Sequence, residues 1–216
     1  MTYLENEMKR LLTALVLMLS AGMAFAHGGG ATPPLPSGAD RHQQSPEKMA
    51  LESYRDGMDL LEDGVSIELK ADQADSERRQ QRGHKKAQKR YRKATQKFVR
   101  AIEHEPLLYQ AHIGLGRALS KTGDHSGAVQ AYDRALALRS GHPEAMAFRA
   151  VTLLRLGRFQ DVQSTYTQLL RRDRQHAAFL RDEILKWQKT RTERAPTEAE
   201  ATAAQAFDQW LAGQPG

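Results

Sequence analysis

A run of positive charge is the most distinctive chemical feature of this 216-residue sequence. Eleven Lys or Arg residues and no Asp or Glu lie between Arg78 and Arg100, so the rest of the chain carries a net charge of −5 against a total of +6. Clustered cations can bind phosphate groups of lipid, lipopolysaccharide or nucleic acid, but such runs are commonly only a solvated helix face. The patch proper consists of Arg78, Arg79, Arg82, Lys85, Lys86, Lys89, Arg90, Arg92 and Lys93.

Residue patterns typical of catalysis or metal binding are missing from the sequence. It has no Ser-centred nucleophile elbow, no glycine loop that could cradle a phosphate and no His-Glu-x-x-His pair. The eight histidines are scattered, and His142 and His176 are 34 residues apart at equivalent positions of a repeat. The sequence therefore predicts no enzyme activity, no metal site and no cofactor.

The elements that carry these residues are predicted from a pattern that occurs twice between Tyr109 and Arg172. Each copy has two apolar stripes with helical spacing, separated by a glycine that would end the first helix. A 34-residue period indicates stacked helical hairpins, because neither helix can bury its apolar stripe alone. The paired positions are Leu119 and Leu153, Gly123 and Gly157, Ala128 and Val162, Tyr132 and Tyr166, and Ala135 and Leu169.

The repeat resembles the tetratricopeptide repeat. The first copy matches at Leu115-Gly116, Leu119, Gly123, Ala128, Tyr132 and Ala135, and the second at Leu153, Gly157, Phe159 and Tyr166. The second copy departs from the pattern at Arg149-Ala150, where Leu-Gly is usual. The resemblance implies an all-α fold, a tetratricopeptide-type solenoid of antiparallel helix pairs, with repeats at 109–142 and 143–176.

The residues before the two clear repeats predict a first, modified hairpin at 46–108. Ser45-Pro46 is typical of a helix start, and Tyr91, Ala94 and Phe98 continue the repeat register of a second helix. A charged insertion at about 65–88 separates the two halves. We expect two long helices that form an extended hairpin, with the start of the second helix either projecting from the stack or frayed.

The two ends of the chain have different predicted roles. Residues 177–192 and 196–212 are expected to form a capping helix and a C-terminal helix, with Phe207 and Trp210 packed on the repeats. Residues 1–26 have the basic, apolar and A-x-A regions of a cleaved secretory signal peptide, with Met8 as the natural start. Residues 27–45 read as a flexible Gly/Pro-rich linker. The sequence thus predicts an exported, periplasmic protein of bacterial type.

The resemblance implies a non-catalytic scaffold that binds a protein or peptide in a concave groove. The implied groove residues are Tyr54, Met58, Glu62, Gln110, Ile113, Arg117, Lys121, Glu144, Ala147, Val151 and Arg155. The alternative is an envelope-associated factor whose basic helix, 78–100, docks on anionic lipid or lipopolysaccharide. Nucleic acid is not expected as a partner, because the protein is predicted to be exported and the basic run lacks interleaved aromatic residues.

Overall fold

The computed structural model of the protein describes residues 45–191 and 198–214. In these ranges the chain forms eight α-helices that pack in sequence as antiparallel pairs, which confirms the predicted fold class. The helices are α1 (Pro46–Asp72), α2 (Glu77–His104), α3 (Tyr109–Thr122), α4 (His125–Leu138), α5 (Pro143–Arg155), α6 (Phe159–Arg172), α7 (Arg174–Arg191) and α8 (Glu198–Ala212). The predicted signal peptide, and the predicted linker up to residue 44, lie outside the described residues.

The first hairpin is about twice as long as the others. Helices α1 and α2 have 27 and 28 residues, whereas α3 to α6 have 13 or 14. The region expected to be an insertion is therefore the end of α1, a four-residue turn and the start of α2. Helix α1 begins at Pro46, and the Ser45 hydroxyl caps it by accepting a hydrogen bond from the Lys48 amide at 3.3 Å.

The tip of this hairpin is helical and packed rather than frayed. Ala71 near the end of α1 is 3% exposed, and a Cβ added at Gly83 of α2 would lie 2.5 Å from the Ala71 Cβ. Two small residues let the backbones approach closely, so the hairpin closes without large apolar side chains. This contact joins α2 to α1 at the tip, together with the His84–Asp72 pair at 3.3 Å and the hydrogen bond that the Gln80 side chain donates to the Ala74 carbonyl at 3.0 Å.

Aromatic side chains from the second helices of the first two pairs fill notches left by glycines. Phe98 of α2 is fully buried, and Cβ atoms added at Gly57 of α1 and Gly114 of α3 would come within 2.8 and 2.4 Å of its ring. Tyr132 of α4 lies against Gly116 in the same way. Because the glycines carry no side chain, the helices can approach around a ring that is covered on both sides.

Gly123 forms the turn between α3 and α4. Its φ is +90°, and an added Cβ would meet no atom within 4 Å, so only the backbone conformation demands glycine there. We expect Gly123→Ala to lower the free energy of unfolding by about 1–2 kcal/mol, because an L-residue strains in the left-handed region. Urea unfolding of the Ala and Asn variants tests this, since Asn tolerates that region. Equal stability of Gly123→Ala and wild type would contradict the explanation.

The C-terminal helices cover the last repeat with aromatic residues. Phe207 of α8 is 1% exposed and stacks on Phe159 of α6 with ring centroids 5.1 Å apart. Trp210 meets Tyr166 edge to face at 5.7 Å. Both side chains pack against the second repeat, as predicted, and they close the apolar face at this end of the stack.

Candidate functional site: the face of the first helices

The first helix of each pair contributes to one continuous layer. Helix α3 packs on α1 and on α5, and α5 packs on α7. Burial raises the pKa of the Tyr54 hydroxyl above 10.0, and the Glu144 carboxylate raises it further, whereas the Arg117 guanidinium opposes this shift. These three residues come from α1, α5 and α3, so the layer brings side chains 90 positions apart in sequence into electrostatic contact. We call the exposed surface of this layer the first-helix face.

Arg117 is held in place at the centre of the first-helix face. Its guanidinium lies 3.8 Å from the Glu144 carboxylate and 4.9 Å from the centre of the Phe148 ring. The pair is partly exposed, so its net contribution to stability is small. The two contacts instead fix the orientation of the Arg117 guanidinium relative to any ligand on this face.

Lys121 is engaged within the protein instead. Its ammonium group lies 2.6 Å from the Glu68 carboxylate, which also accepts a hydrogen bond from the Tyr91 hydroxyl at 2.7 Å. The Gln88 side chain donates to the Lys121 carbonyl at 2.9 Å. Together these bonds join the long hairpin to the end of α3. Sequence reasoning missed Glu68, because it lies in the region taken for an insertion.

Glu68 should give the stability of the protein a measurable pH dependence. Burial alone would raise the pKa of Glu68, but hydrogen bonds from Lys121 and Tyr91 outweigh it and hold the pKa below 4.5. A depressed carboxyl pKa stabilises the fold above the unfolded value and loses this contribution as the pH falls through the folded value. We therefore expect Glu68→Gln to be destabilising at pH 7 and the difference from wild type to shrink below about pH 4.5. Urea unfolding at several pH values measures this, and a constant difference would contradict it.

Two predicted groove residues do not line an accessible surface. Ile113 is 4% exposed and Ala147 is 1% exposed, and both belong to the hydrophobic core. Their register position turns toward the neighbouring helices, so the prediction that they line the groove is corrected. Among the remaining predicted residues, Glu62, Lys121 and Arg155 are exposed, and Tyr54, Met58, Gln110, Arg117, Glu144 and Val151 are half-buried.

A cavity of about 200 Å³ opens where α5 meets α7. Val151 and Arg155 line it from α5, and Trp187 and Thr190 line it from α7. Sequence reasoning treated α7 only as a cap and so missed its side of the cavity. The 34-residue step from Val151 does not reveal this side, because it leads to Leu185, which lies about 160° around α7 from Trp187.

The structure divides the basic patch of α2. Arg90 pairs with Asp63 at 2.7 Å, Lys97, just beyond the patch, pairs with Asp56 at 2.5 Å, and Arg79 lies 3.8 Å from Asp75. The first two pairs tie α2 to α1. The other members of the predicted patch are exposed to solvent, namely Arg78, Arg82, Lys85, Lys86, Lys89, Arg92 and Lys93.

Comparison with protein families identifies the repeat. Two tetratricopeptide repeat models match residues 72–143 and 121–181, which together make up about half of the chain. The chain belongs to the tetratricopeptide repeat family. No curated protein matches it. The first match begins inside the long hairpin, at the end of α1, and includes all of α2.

The described part of this tetratricopeptide repeat protein contains neither a cluster of metal-binding side chains nor a helix that could span a membrane. Within residues 45–191 and 198–214, no group of three His, Asp or Glu side chains is arranged to hold a metal ion. None of the helices described there has the length and apolar character needed to cross a bilayer. Proteins of the family are typically non-catalytic and bind other proteins.

Proposed function

We propose that this tetratricopeptide repeat protein is a non-catalytic scaffold that binds a segment of another protein along the first-helix face. The cavity between α5 and α7 is the observation that carries the proposal. It combines apolar walls from Val151 and Trp187 with the exposed guanidinium of Arg155 at its edge. Glu183 and Lys186 also line it, and they pair with each other at 2.6 Å, so the guanidinium of Arg155 is the charge left over. A concave site with apolar lining and a few polar groups is the usual form of a binding site.

The chemistry of this cavity favours an acidic segment with an apolar anchor. Arg155 has no ion-pair partner among the residues that the structure describes, and its charge helps to lower the pKa of nearby His125 after burial, the larger cause. An unpaired guanidinium can donate two parallel hydrogen bonds to a carboxylate. A volume of about 200 Å³ accommodates one apolar side chain of the partner.

Two matched exposed substitutions test the face. The partner is first captured from an envelope extract with the wild-type protein, and its affinity is then compared for two single variants. We expect Arg155→Glu to weaken binding at least about tenfold, because it replaces the cation at the edge of the cavity with a charge that repels an acidic segment. The control, Arg134→Glu, makes the same change at an exposed position of α4.

The outcome distinguishes the face from the rest of the surface. Loss of binding in the first variant alone, with both variants folded by circular dichroism, supports the proposed function. If both variants bind like wild type, the first-helix face is not the binding surface.

We also propose that the protein works in the periplasm. Lys9-Arg10, the apolar run Leu11–Leu19 and Ala24-Phe25-Ala26 support this, because this order is typical of a cleaved signal peptide. N-terminal sequencing of the protein from a periplasmic fraction should begin at His27. A protein that retains residues 8–26 and fractionates with the cytoplasm would contradict the proposal.

A further inference from the structure

The exposed cations of α2 form a set that the protein does not neutralise. Of the eleven Lys and Arg residues between 78 and 100, three lie within 4 Å of acidic side chains: Arg79, Arg90 and Lys97. The other eight are exposed and have no acidic partner in the part of the chain that the structure describes. They are Arg78, Arg82, Lys85, Lys86, Lys89, Arg92, Lys93 and Arg100, and we call them the cationic row.

The cationic row occupies one side of α2 over nearly its whole length. The buried residues of the helix, from Ala87 through Tyr91 and Phe98 to Ala101, all face α1 and α3. At 100° per residue, the eight cations fall on the opposite half of the circumference. From Arg78 to Arg100 the row is about 33 Å long, at about 1.5 Å per residue.

The row carries repulsion that the free protein does not relieve. Arg78 and Arg82, like Lys85 and Lys89, are four residues apart, where like charges destabilise a helix. A merely solvated helix face would be more stable with acids placed between the cations, and the chain has 26 acidic residues elsewhere. An anionic surface laid along the row would remove this repulsion.

We propose that the cationic row docks the protein on a bilayer that contains anionic phospholipids. Polybasic segments are attracted to such surfaces in proportion to their number of cations, without any need for a pocket. The row fits this demand, because it is straight, lies on the outer side of α2 and consists of long flexible side chains. Its charge is spread along about 33 Å of one side of a helix, so the partner must present negative charge over an area.

Nucleic acid and an acidic protein fit the row less well. Tyr91 and Phe98 are fully buried, so α2 offers no aromatic ring for base stacking. A protein interface needs a desolvated apolar anchor, and Val99 at 39% exposure is the one large exposed hydrophobic residue of α2.

The row and the first-helix face are separate surfaces. The row belongs to a second helix, whereas the proposed peptide site lies on α5 and α7. Membrane docking therefore does not depend on the proposed function, and either can fail without the other.

Sedimentation with lipid vesicles tests the proposal. Purified protein is mixed with phosphatidylcholine vesicles that contain about 30% phosphatidylglycerol, or none, at about 0.05 M salt, where screening is weak. We expect binding to the anionic vesicles only. A row variant, Arg82→Gln with Lys85→Gln and Lys89→Gln, should bind about 100-fold more weakly, at about fivefold for each cation removed.

A charge-matched control separates the row from the net charge of the protein. Arg134→Gln with Arg171→Gln and Arg174→Gln removes three exposed cations from α4, α6 and α7. We expect this control to lose less than about fivefold, because its cations lie off the docked surface and are screened. Both sets of side chains are exposed, and circular dichroism verifies that the helices remain.

Three results would overturn the proposal. One is a wild-type protein that fails to bind anionic vesicles at low salt, whether or not it binds a soluble acidic protein or duplex DNA. Another is an equal loss in the row variant and the control, which would show that net charge alone drives adsorption. The third is binding that persists at about 0.5 M salt, since electrostatic docking of exposed cations is screened there.

Discussion

Replacing Phe98 with Ala is expected to lower the free energy of unfolding by about 3–5 kcal/mol. The ring is fully buried where α1, α2 and α3 meet, between Gly57 and Gly114, and its centroid lies 6.0 Å from that of Tyr54. Its removal leaves a cavity that the glycines cannot fill, because they have no side chains to rearrange. Urea unfolding monitored by circular dichroism gives the change.

The neighbouring residue supplies a control for this substitution. Val99 lies on the same helix but is 39% exposed, so Val99→Ala should change the free energy of unfolding by no more than about 0.5 kcal/mol. The size of the Phe98→Ala effect measures how firmly the long hairpin is joined to the repeats. A loss below about 1 kcal/mol would show that α2 does not pack on α3 as the structure has it.

Gly114→Ala is expected to destabilise the protein by about 1–3 kcal/mol, although Ala is the better helix former. An added Cβ would lie 2.4 Å from the Phe98 ring, a distance at which one of the two groups must move. The ring has no free space, because Gly57 approaches it from α1. Overpacking of the core therefore outweighs the gain in helix propensity, which is about 1 kcal/mol.

A double-mutant cycle identifies the clash as the cause. With Phe98→Leu in place, the ring carbon nearest to Gly114 is gone, so adding Ala at position 114 should cost much less or stabilise the protein. Additive effects of the two substitutions would contradict direct contact between them. Thermal and urea unfolding of all four proteins provide the cycle.

The repeat architecture could be predicted because its information is local. The period of apolar residues, the glycine stop at Gly123 and the 34-residue step each follow from a short stretch of sequence. The same step placed Phe98, Tyr132 and Tyr166 at one repeat position, and all three are at most 1% exposed. Helix type and pairing depend on these spacings alone, so the fold class needed no knowledge of distant contacts.

The first hairpin was predicted less completely. The charged region at 65–88 has few large apolar residues, and pattern reasoning therefore left open whether it projects or frays. The close approach of Gly83 to Ala71 decides that question. A contact between two small residues produces no apolar period, so no signal in the sequence could have revealed it.

The fate of individual side chains at the candidate sites was decided by tertiary structure. Motif register placed Lys121 and Ile113 together on a groove, but Lys121 pairs with Glu68 and Ile113 is buried in the core. It gave all eleven cations of α2 equal standing, whereas Asp56 and Asp63 of α1 engage two of them. Sequence spacing fixes the angle at which a residue leaves its helix. The neighbour that a side chain meets depends on the separation and rotation of packed helices, which arise only when distant segments come together.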